Sequence, residues 1–582
     1  MRILSGTIPT PAPTYNASSV ARHYTSRFAL VLALIVFLFP IAHAQDSATA
    51  VPVTPGRILL VLPFDNLTPS ASASSNEASS PEAASLDWLR EAAPEILNAR
   101  FTSAGLIPLN REDRLYALDH LGLPEAFNPS RATAIRIAQT LDAQSICIGT
   151  YSVANNTLTL RAHWVDLNKL RIDAEVTETG PLPQLIPLLN SLAWQLTRQL
   201  DPSFSVAKET FRAAGSSIRL DAFEQYIRGI TDRDHNEQLK HLKRATDLSP
   251  DFTAAWLAAA RIQFAAQDYE AAAVSFGKVT RGFIGDDPSE LEAAFYRGLS
   301  LIFSGNYTRA EEAFGAVARV LPLPEVVNNQ AVAQSRRAHD ATPLFRQASV
   351  ADPTDEDYHF NLAVSLHRHN DTPNALAEIA QALKLRPNDS EAKAAQQSWQ
   401  SGSGAAGSDP LERIKRTFNG AAFRQAALMA EQVEETRLAT LPAPERASRL
   451  SKSAREKLDR GLLLEAERGY QAALSADSRS SEAHAGLAQV RERAGDAEAA
   501  RNEANAALAR QPNLDAYMVL ARLDLAANHL PQARDEANAA VKLDSSSRAA
   551  KDLRKAIETR LESGPAASPA TAPATTPSQP RP

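Results

Sequence analysis

The chain has a single cysteine, Cys147, among 582 residues. One thiol cannot close an internal disulfide, and a zinc site built on paired cysteines is excluded with it. Aromatic residues make up only 6% of the sequence, so small side chains must carry much of the packing. Abundant alanine, a strong helix former with no side-chain entropy to lose, points to an α-rich protein. Positive charge is not in excess either: 61 Lys and Arg stand against 67 Asp and Glu, a formal net charge of -6. Nucleic-acid affinity depends on cations that neutralise phosphates, so nucleic acid is not an expected partner. The rest is ordinary, with 44% hydrophobic and 22% charged residues, which excludes a wholly disordered or collagen-like chain. A length of 582 residues, at about 100 to 200 per domain, predicts several structural units.

Residues 1–44 lack Asp and Glu, carry Arg2, Arg22 and Arg27, and continue into an unbroken apolar run from Phe28 to Phe39. Pro40 ends that run, and Ala42-His43-Ala44 places small residues where a signal peptidase reads them. The pattern predicts a signal peptide over 1–44, with Gln45 as the first mature residue and a periplasmic, envelope-associated or secreted product. A membrane anchor is the alternative, but the run falls short of the roughly 20 residues needed to span. No other segment is long and apolar enough, so no integral span is expected after cleavage. Residues 45–56 form a short lead-in.

Arg57 to Phe64 is continuously apolar from Ile58 to Leu62, the mark of a strand buried on both faces. The Ser-rich stretch from Thr68 to Ser80 reads as a loop, and Ser80-Pro81-Glu82 offers a helix start there or by Ser85. Leu89, Ala92, Ile96, Leu97 and Phe101 recur at helical spacing, and Gly105 precedes a short strand from Leu106 to Leu109, completing a βαβ unit. A second helix follows Asn128-Pro129-Ser130 and leads into a strand from Ser145 to Gly149. Around Asn155-Asn156 the pattern alternates through Leu158, Leu160, Ala162 and Trp164, as in an antiparallel hairpin, so the sheet is mixed. A helix from Leu182 to Leu200 closes the domain. The segments Ile58–Asn66 and Ser145–Tyr151, with the strand ending Val165-Asp166-Leu167, resemble the amino-terminal domain of TolB and its CsgG and FlgO relatives. Over residues 57–200 this resemblance implies a non-catalytic adaptor domain. The Ser-rich insertion departs from the family, and a CsgG-type pore does not carry over because amphipathic barrel strands are missing.

Beyond Ser216 the chain repeats itself. Ala500, Ala504, Ala507 and Pro512 stand at the same offsets as Ala375, Ile379, Ala382 and Pro387, and as Ala310, Phe314, Val317 and Pro322. Ala466 precedes Ala500 by one full period of the tetratricopeptide repeat. Small residues at Gly298, Ala363, Ala488 and Ala521 suit close helix crossings, and Gly305-Asn306, Asn370-Asp371 and Gly495-Asp496 suit the turns between paired helices. These features resemble the tetratricopeptide repeat family over residues 217–400, with repeats starting near Arg219, Phe252, Leu291, Glu325 and Glu356, and over 445–562 with a final capping helix. Between the blocks, 401–410 reads as a Gly/Ser linker and 411–444 as a degenerate helical pair containing Ile414, Phe418, Phe423, Ala427 and Met429. Residues 563–582 form a Pro/Ala/Thr tail expected to be disordered. The expected class is therefore α+β but mainly α: a small mixed-sheet α/β domain followed by an α-solenoid of helix pairs.

No cofactor, metal or catalytic set is expected. Gly402 to Gly407 matches GxGxxG by letter but lacks the preceding strand, and Ser205-Val206-Ala207-Lys208 matches SxxK without companion motifs. His367 and His369 point to different faces of one helix, and Cys147 sits in an apolar strand. Asp65 and Asn66 are the sole candidates for a hydrolase, and they make no acid–base pair. The repeat resemblance implies a concave groove for a protein or peptide partner, lined at template positions by Leu257, Arg261, Phe264, Phe295, Ile302, Phe360, His367, Gln489, Met518 and Arg522. Ordinary packing between repeats is the competing account of these residues. The expected function is an exported protein-interaction scaffold of a bacterial-type cell envelope. A regulatory sensor or adaptor of a signalling system, or a hydrolase using the α/β domain, is the alternative.

Overall fold

A computed structural model describes residues 57–68, 86–125, 129–215, 218–280, 288–402, 409–417 and 420–562. The expected signal peptide, lead-in, Ser-rich loop, most of the Gly/Ser linker and the carboxy-terminal tail lie outside these residues. The described chain is mainly helical, with 24 α-helices and a small mixed sheet near its amino terminus. It divides into two compact units, one built on Val53–Arg233 and Glu434–Pro582 with Asp247–Pro250, the other on Asp234–Thr246 and Asp251–Val433.

In the first unit, β1 (Ile58–Val61) lies between β3 (Ile107–Pro108) and β4 (Ser145–Ala154), parallel to both. Leu59, Leu60 and Val61 are buried, which is what an uninterrupted apolar strand requires when both faces are covered. β2 (Asp65–Asn66) also pairs with β4. β5 (Thr157–Asp166) runs antiparallel to β4 and pairs in turn with β6 (Arg171–Ile172) and β7 (Val176–Pro181). Asn155 and Asn156 both take positive φ at the hairpin, the conformation a two-residue turn demands. Glycine is required at position 149, because a Cβ there would lie 2.3 Å from the Phe64 ring. Helix α1 (Leu89–Ser103) stands over one face, with Phe101 against Trp164 at 5.3 Å. Helices α2 (Arg111–His120) and α3 (Arg131–Thr140) cover a core of Leu60, Leu118, Ile137 and Ile146. The Trp164 indole donates to the Leu196 carbonyl of α4 (Leu185–Leu200). Two further helices follow, α5 (Lys208–Ala213) and α6 (Leu220–Thr231), the latter set on α1 through Trp88–Phe223 and a Tyr226 hydroxyl donating to Glu95 at 2.8 Å.

The other unit contains α7 (His235–Leu248), then the pairs α8 (Thr253–Ala265) and α9 (Tyr269–Thr280), α10 (Pro288–Phe303) and α11 (Tyr307–Val320), and α12 (Pro324–Ser335) and α13 (Thr342–Ala351). The pair α14 (Glu356–Arg368) and α15 (Thr372–Leu385) follows, then α16 (Ser390–Ser401). Phe295, Phe314, Phe345, Phe360, Ile379 and Trp399 form its continuous core. One sequence expectation is corrected here: where a degenerate helical pair was expected over 411–444, residues 409–417 adopt neither helix nor strand, and a single helix, α17 (Gly420–Ala439), follows. The backbone groups of Arg413 and Lys415 are engaged by side chains of α12 and α14 instead of by a helical turn of their own.

Back in the first unit, α18 (Ala443–Asp459) and α19 (Leu463–Ala476), α20 (Ser481–Arg493) and α21 (Ala497–Leu508), α22 (Leu514–Ala526) and α23 (Leu530–Leu543), and α24 (Arg548–Glu562) complete the chain. Ala466, Ala500 and Ala533 are fully buried at successive crossings, one repeat period after another. Gly486 admits the Tyr470 ring, which a Cβ would meet at 2.1 Å. Glu467 of α19 has no exposed surface; it accepts from the Ala207 amide at 2.9 Å and the Thr210 hydroxyl at 2.5 Å, and pairs with Arg491 at 2.9 Å. Burial pushes its carboxyl pKa up against the pull of Arg491 and Thr210. This residue fastens α5 to the second repeat block.

One device recurs in both blocks. His359 Nδ1 lies 2.7 Å from Glu378, and His484 Nδ1 lies 2.7 Å from Glu503. In each case the hydrogen bond to the glutamate raises the imidazole pKa above 6.5 against a smaller opposing effect of burial. A histidine with a raised folded pKa stabilises fully below its unfolded value, and that stability is lost as pH rises through the folded value. We expect His359→Gln and His484→Gln each to cost about 1 kcal/mol near pH 5.5 and little near pH 8.5, read from thermal or urea unfolding at both pH values. Equal losses at both would show that the imidazolium contributes nothing.

Candidate functional site

The site is the groove face of α12, α14 and α16, and residues 409–417 (Asp-Pro-Leu-Glu-Arg-Ile-Lys-Arg-Thr) lie in it. Asn328, Asn329 and Asn361 project from helical positions where the fold leaves them with no exposed surface. A carboxamide buried in that way must find partners for both its oxygen and its nitrogen. Asn361 does so on one residue of the segment: its Oδ1 accepts from the Arg413 amide at 2.7 Å, and its Nδ2 donates to the Arg413 carbonyl at 2.8 Å. Asn329 repeats the arrangement two residues along, accepting from the Lys415 amide at 2.9 Å and donating to its carbonyl at 2.7 Å. Asn328 donates to the Arg413 carbonyl at 3.1 Å and accepts from Asn361 at 2.8 Å, tying the two clamps together. The groove thus reads peptide backbone, at alternate residues.

Side-chain recognition is laid over that clamp. The Glu412 carboxylate is fully covered, bonded to the Ser335 hydroxyl and the Arg368 guanidinium and 3.0 Å from Arg336 Nε. Arg413 lies 3.6 Å above the centre of the Phe360 ring and donates to Asp389 at 2.6 and 3.0 Å, to Glu391 at 3.0 Å and to Asp357 at 3.2 Å. Burial alone would disfavour this guanidinium's charge, but its carboxylate partners outweigh burial and raise its pKa. The same contact, helped by the Ala392 amide, holds Asp389 below the usual carboxylate range although burial works the other way. Lys415 Nζ reaches Asp355 at 2.8 Å and Asp357 at 2.7 Å, with the Tyr358 ring 5.0 Å away. Ile414 packs against the unit's apolar core, and Arg416 lies over Phe303 at 5.3 Å. At the near end, Asp409 accepts from the Trp399 indole at 2.9 Å and stands 2.9 Å from His367 Nδ1, the imidazole being stacked on Trp399 at 4.5 Å. Arg368 also donates to the Pro410 carbonyl.

The residues expected from the repeat template are distributed differently. Phe360 and His367 touch the segment. Phe295, Ile302 and Leu257 are buried between helices, with Phe295 against Phe314 at 5.6 Å and Phe423 at 6.0 Å. Phe264 is half-buried edge-on to Tyr296 at 5.0 Å. Arg261 makes a two-point pair with Glu292 at 2.6 and 2.7 Å, and Arg522 makes the same pair with Glu492 at 2.6 Å on both arms. In the second block, Gln489 is buried in α20, and Met518 packs on Ala540 and Ala550. Of the ten expected groove positions, Phe360 and His367 fall on this groove, the buried Leu257, Phe295 and Ile302 fill gaps between helices, and Arg261 and Arg522 are engaged by Glu292 and Glu492. The polar part of the groove is not among the expected positions. Its signal lies in Asn329 and Asn361, poor helix formers at equivalent places of neighbouring repeats in a helical array. Elsewhere, Cys147 is buried and its thiol pKa is raised by burial. Asn66 donates to Asp87 at 3.4 Å. Among the described residues no group of three or more His, Cys, Asp or Glu side chains could hold a metal ion, and no helix is long and apolar enough to cross a membrane.

Replacing Asn361 with Ala strands the Arg413 amide and the Asn328 carboxamide oxygen in a buried place. We expect Asn361→Ala to lower stability by about 1–3 kcal/mol and to speed hydrogen exchange of the 412–416 amides by roughly tenfold or more, read by mass spectrometry. Unchanged exchange there would show that the carboxamide does not hold the segment.

The tetratricopeptide repeat family model matches residues 329–390, from the second clamp asparagine to the start of α16. No curated protein matches the chain. Among solved structures, YrrB, described as a TPR protein with an unusual peptide-binding site, is 14% identical, spans 36% of this chain and 99% of its own, and gives a TM-score of 0.27. A tetratricopeptide repeat protein from Parabacteroides merdae ATCC 43184 is 12% identical over 53% of this chain and 98% of its own, with a TM-score of 0.23. The C-terminal domain of LpoB from Escherichia coli is 20% identical over 23% of this chain and 87% of its own, with a TM-score of 0.17. At such scores the structural likenesses carry no functional inference. The sequence match stands apart from them: tetratricopeptide repeat sequence builds the helices that carry Asn329, Asn361, Asp357 and Asp389.

Proposed function

We propose that the chain is an exported, non-enzymatic interaction scaffold of a bacterial-type cell envelope, and that its first repeat block binds an extended peptide segment of a protein partner. The observation that carries this reading is the pair of buried carboxamides, Asn361 and Asn329, each bonding both the amide and the carbonyl of one peptide residue. Such an arrangement has no use in packing helix against helix, since it satisfies backbone groups of a segment that forms neither helix nor sheet. The tetratricopeptide repeat match over 329–390 supports the same class of function. Export is supported by the acid-free, arginine-bearing leader, its apolar run and Ala42-His43-Ala44. The α/β domain, with its TolB-like leading strand from Ile58 to Asn66, would dock a second component.

Two measurements address the two halves of the reading. Amino-terminal sequencing of protein from an envelope fraction is expected to begin at Gln45; an intact leader on cytosolic protein would remove export. After crosslinking in cells, partner recovered by the wild-type chain is expected to fall roughly tenfold with Asn329→Ala/Asn361→Ala, the equivalent of about 1.4 kcal/mol. Undiminished recovery from a folded variant would remove the groove from the function.

A further inference from the structure

We propose that residues 409–417 are a built-in, displaceable ligand of the first-block groove, and that the partner which replaces them is an extended segment carrying carboxylate, guanidinium and ammonium groups in the order Glu-Arg-x-Lys. The inference rests on the groove reading above and specifies its occupant. Three observations carry it.

The first is that the segment is held as a peptide is held. Its central amides and carbonyls are bonded by side chains from α12 and α14. The second is that three neighbouring side chains each meet a pocket of opposite charge: Glu412 between Arg336 and Arg368, Arg413 among Asp357, Asp389 and Glu391 over Phe360, and Lys415 between Asp355 and Asp357. Because the pockets are fixed to helices, a competing ligand must place its charges at the same intervals along an extended backbone. A segment of reversed charge order would bury like charges together. The third is connectivity. Only Ser403 to Ser408 separate Gly402, just past the end of α16, from Asp409, so the segment and its groove are joined by a short tether. A ligand joined to its site at so short a separation in sequence is one against which a free peptide must compete. The apparent affinity for an outside ligand is therefore reduced by the fraction of time the groove stands open.

The test uses the full chain and a fluorescein-labelled synthetic peptide of residues 409–417, titrated by anisotropy. Wild-type chain is expected to bind it weakly. Arg413→Ala/Lys415→Ala weakens the internal segment and leaves every groove residue in place, so this variant is expected to bind the peptide at least tenfold more tightly. Adding Asn329→Ala and Asn361→Ala to that variant should abolish the gain, and a peptide with Glu412 and Arg413 exchanged should bind at least tenfold more weakly. A folded Arg413→Ala/Lys415→Ala chain that binds no more tightly than wild type overturns the proposal, as does equal binding of the exchanged peptide. If that variant does not fold, excess unlabelled peptide added to wild-type chain is expected to speed hydrogen exchange of the tethered Arg413 and Lys415 amides, distinguished from the peptide by its mass. No acceleration at millimolar peptide overturns the proposal. Failure here with partner capture still sensitive to Asn329→Ala/Asn361→Ala removes the internal ligand alone, whereas loss of that sensitivity removes the groove reading itself.

Discussion

A carboxamide buried without exposed surface must be hydrogen-bonded on both its oxygen and its nitrogen, and in this protein that constraint governs the first repeat block. Asn328, Asn329 and Asn361 meet it by engaging the backbone of Arg413 and Lys415. The net gain of each hydrogen bond is only about 1 kcal/mol, but leaving one of these groups unpaired costs about 1–3 kcal/mol. The asymmetry explains why the segment lies where it does: the groove is costly to leave dry and empty. Water or a second peptide can meet the same requirement, which makes the clamp exchangeable in a way that an apolar contact between helices is not.

Packing in the rest of the molecule obeys a different rule. Helices approach where side chains are absent, as at Gly298, where a Cβ would come within 2.6 Å of Phe314, and at Gly486 beneath Tyr470. Alanine does the same at Ala466, Ala500 and Ala533. These crossings set a rigid spacing from repeat to repeat, and groove residues inherit it. Asn329 and Asn361 stand at the same distance before the positive-φ turn residues Ala338 and Asn370, and the acidic N-caps Asp355 and Asp389 recur likewise, because each pair occupies equivalent places in neighbouring repeats. Recognition of an extended strand is thereby built from the same period that builds the solenoid. The second repeat block uses a further device, the buried Glu467, whose charge is matched by Arg491 and whose oxygens take the Ala207 amide and Thr210 hydroxyl. An acid so placed ties the first turn of α5 to α19 with directional bonds.

Much of this was legible in the sequence, and the failures have physical causes. The uninterrupted apolar run of Ile58–Leu62 identified a strand covered on both faces, and the alternation through Leu158, Leu160 and Trp164 identified its antiparallel neighbour. Both patterns follow from local geometry. Helix pairs were legible for the same reason: small residues recur wherever axes cross. What could not be read was the extended run 409–417. Ile414 and Phe418 fall at the four-residue interval that suits a helix, and no local feature records that Asn361, 52 residues before Arg413, satisfies that residue's amide and carbonyl. A tertiary contact overrode the local pattern. An aromatic side chain at a template position does not by itself show which way it is used: Phe295 is fully buried between helices, whereas Phe360 forms the floor of the groove under a guanidinium. Asparagine in a helix carried the information.

The charged contacts decide how selective such a groove can be. An ion pair taken out of water gains little or nothing over an apolar pair of the same shape, because desolvation offsets the Coulomb attraction. Removing one partner is a different matter: the remaining charge is left buried, and about 3–5 kcal/mol is lost. Asp389, held below the usual carboxylate range by Arg413, and the enclosed Glu412 beside Arg336 and Arg368 are both of this kind. Asp357 is shared between Arg413 and Lys415, with Arg386 3.6 Å away, so the two cations of the segment are not independent. The backbone clamp by itself would accept many sequences. The charge pockets supply discrimination chiefly by penalising wrong ligands, and the chain's own segment is the one sequence certain to carry none of those penalties.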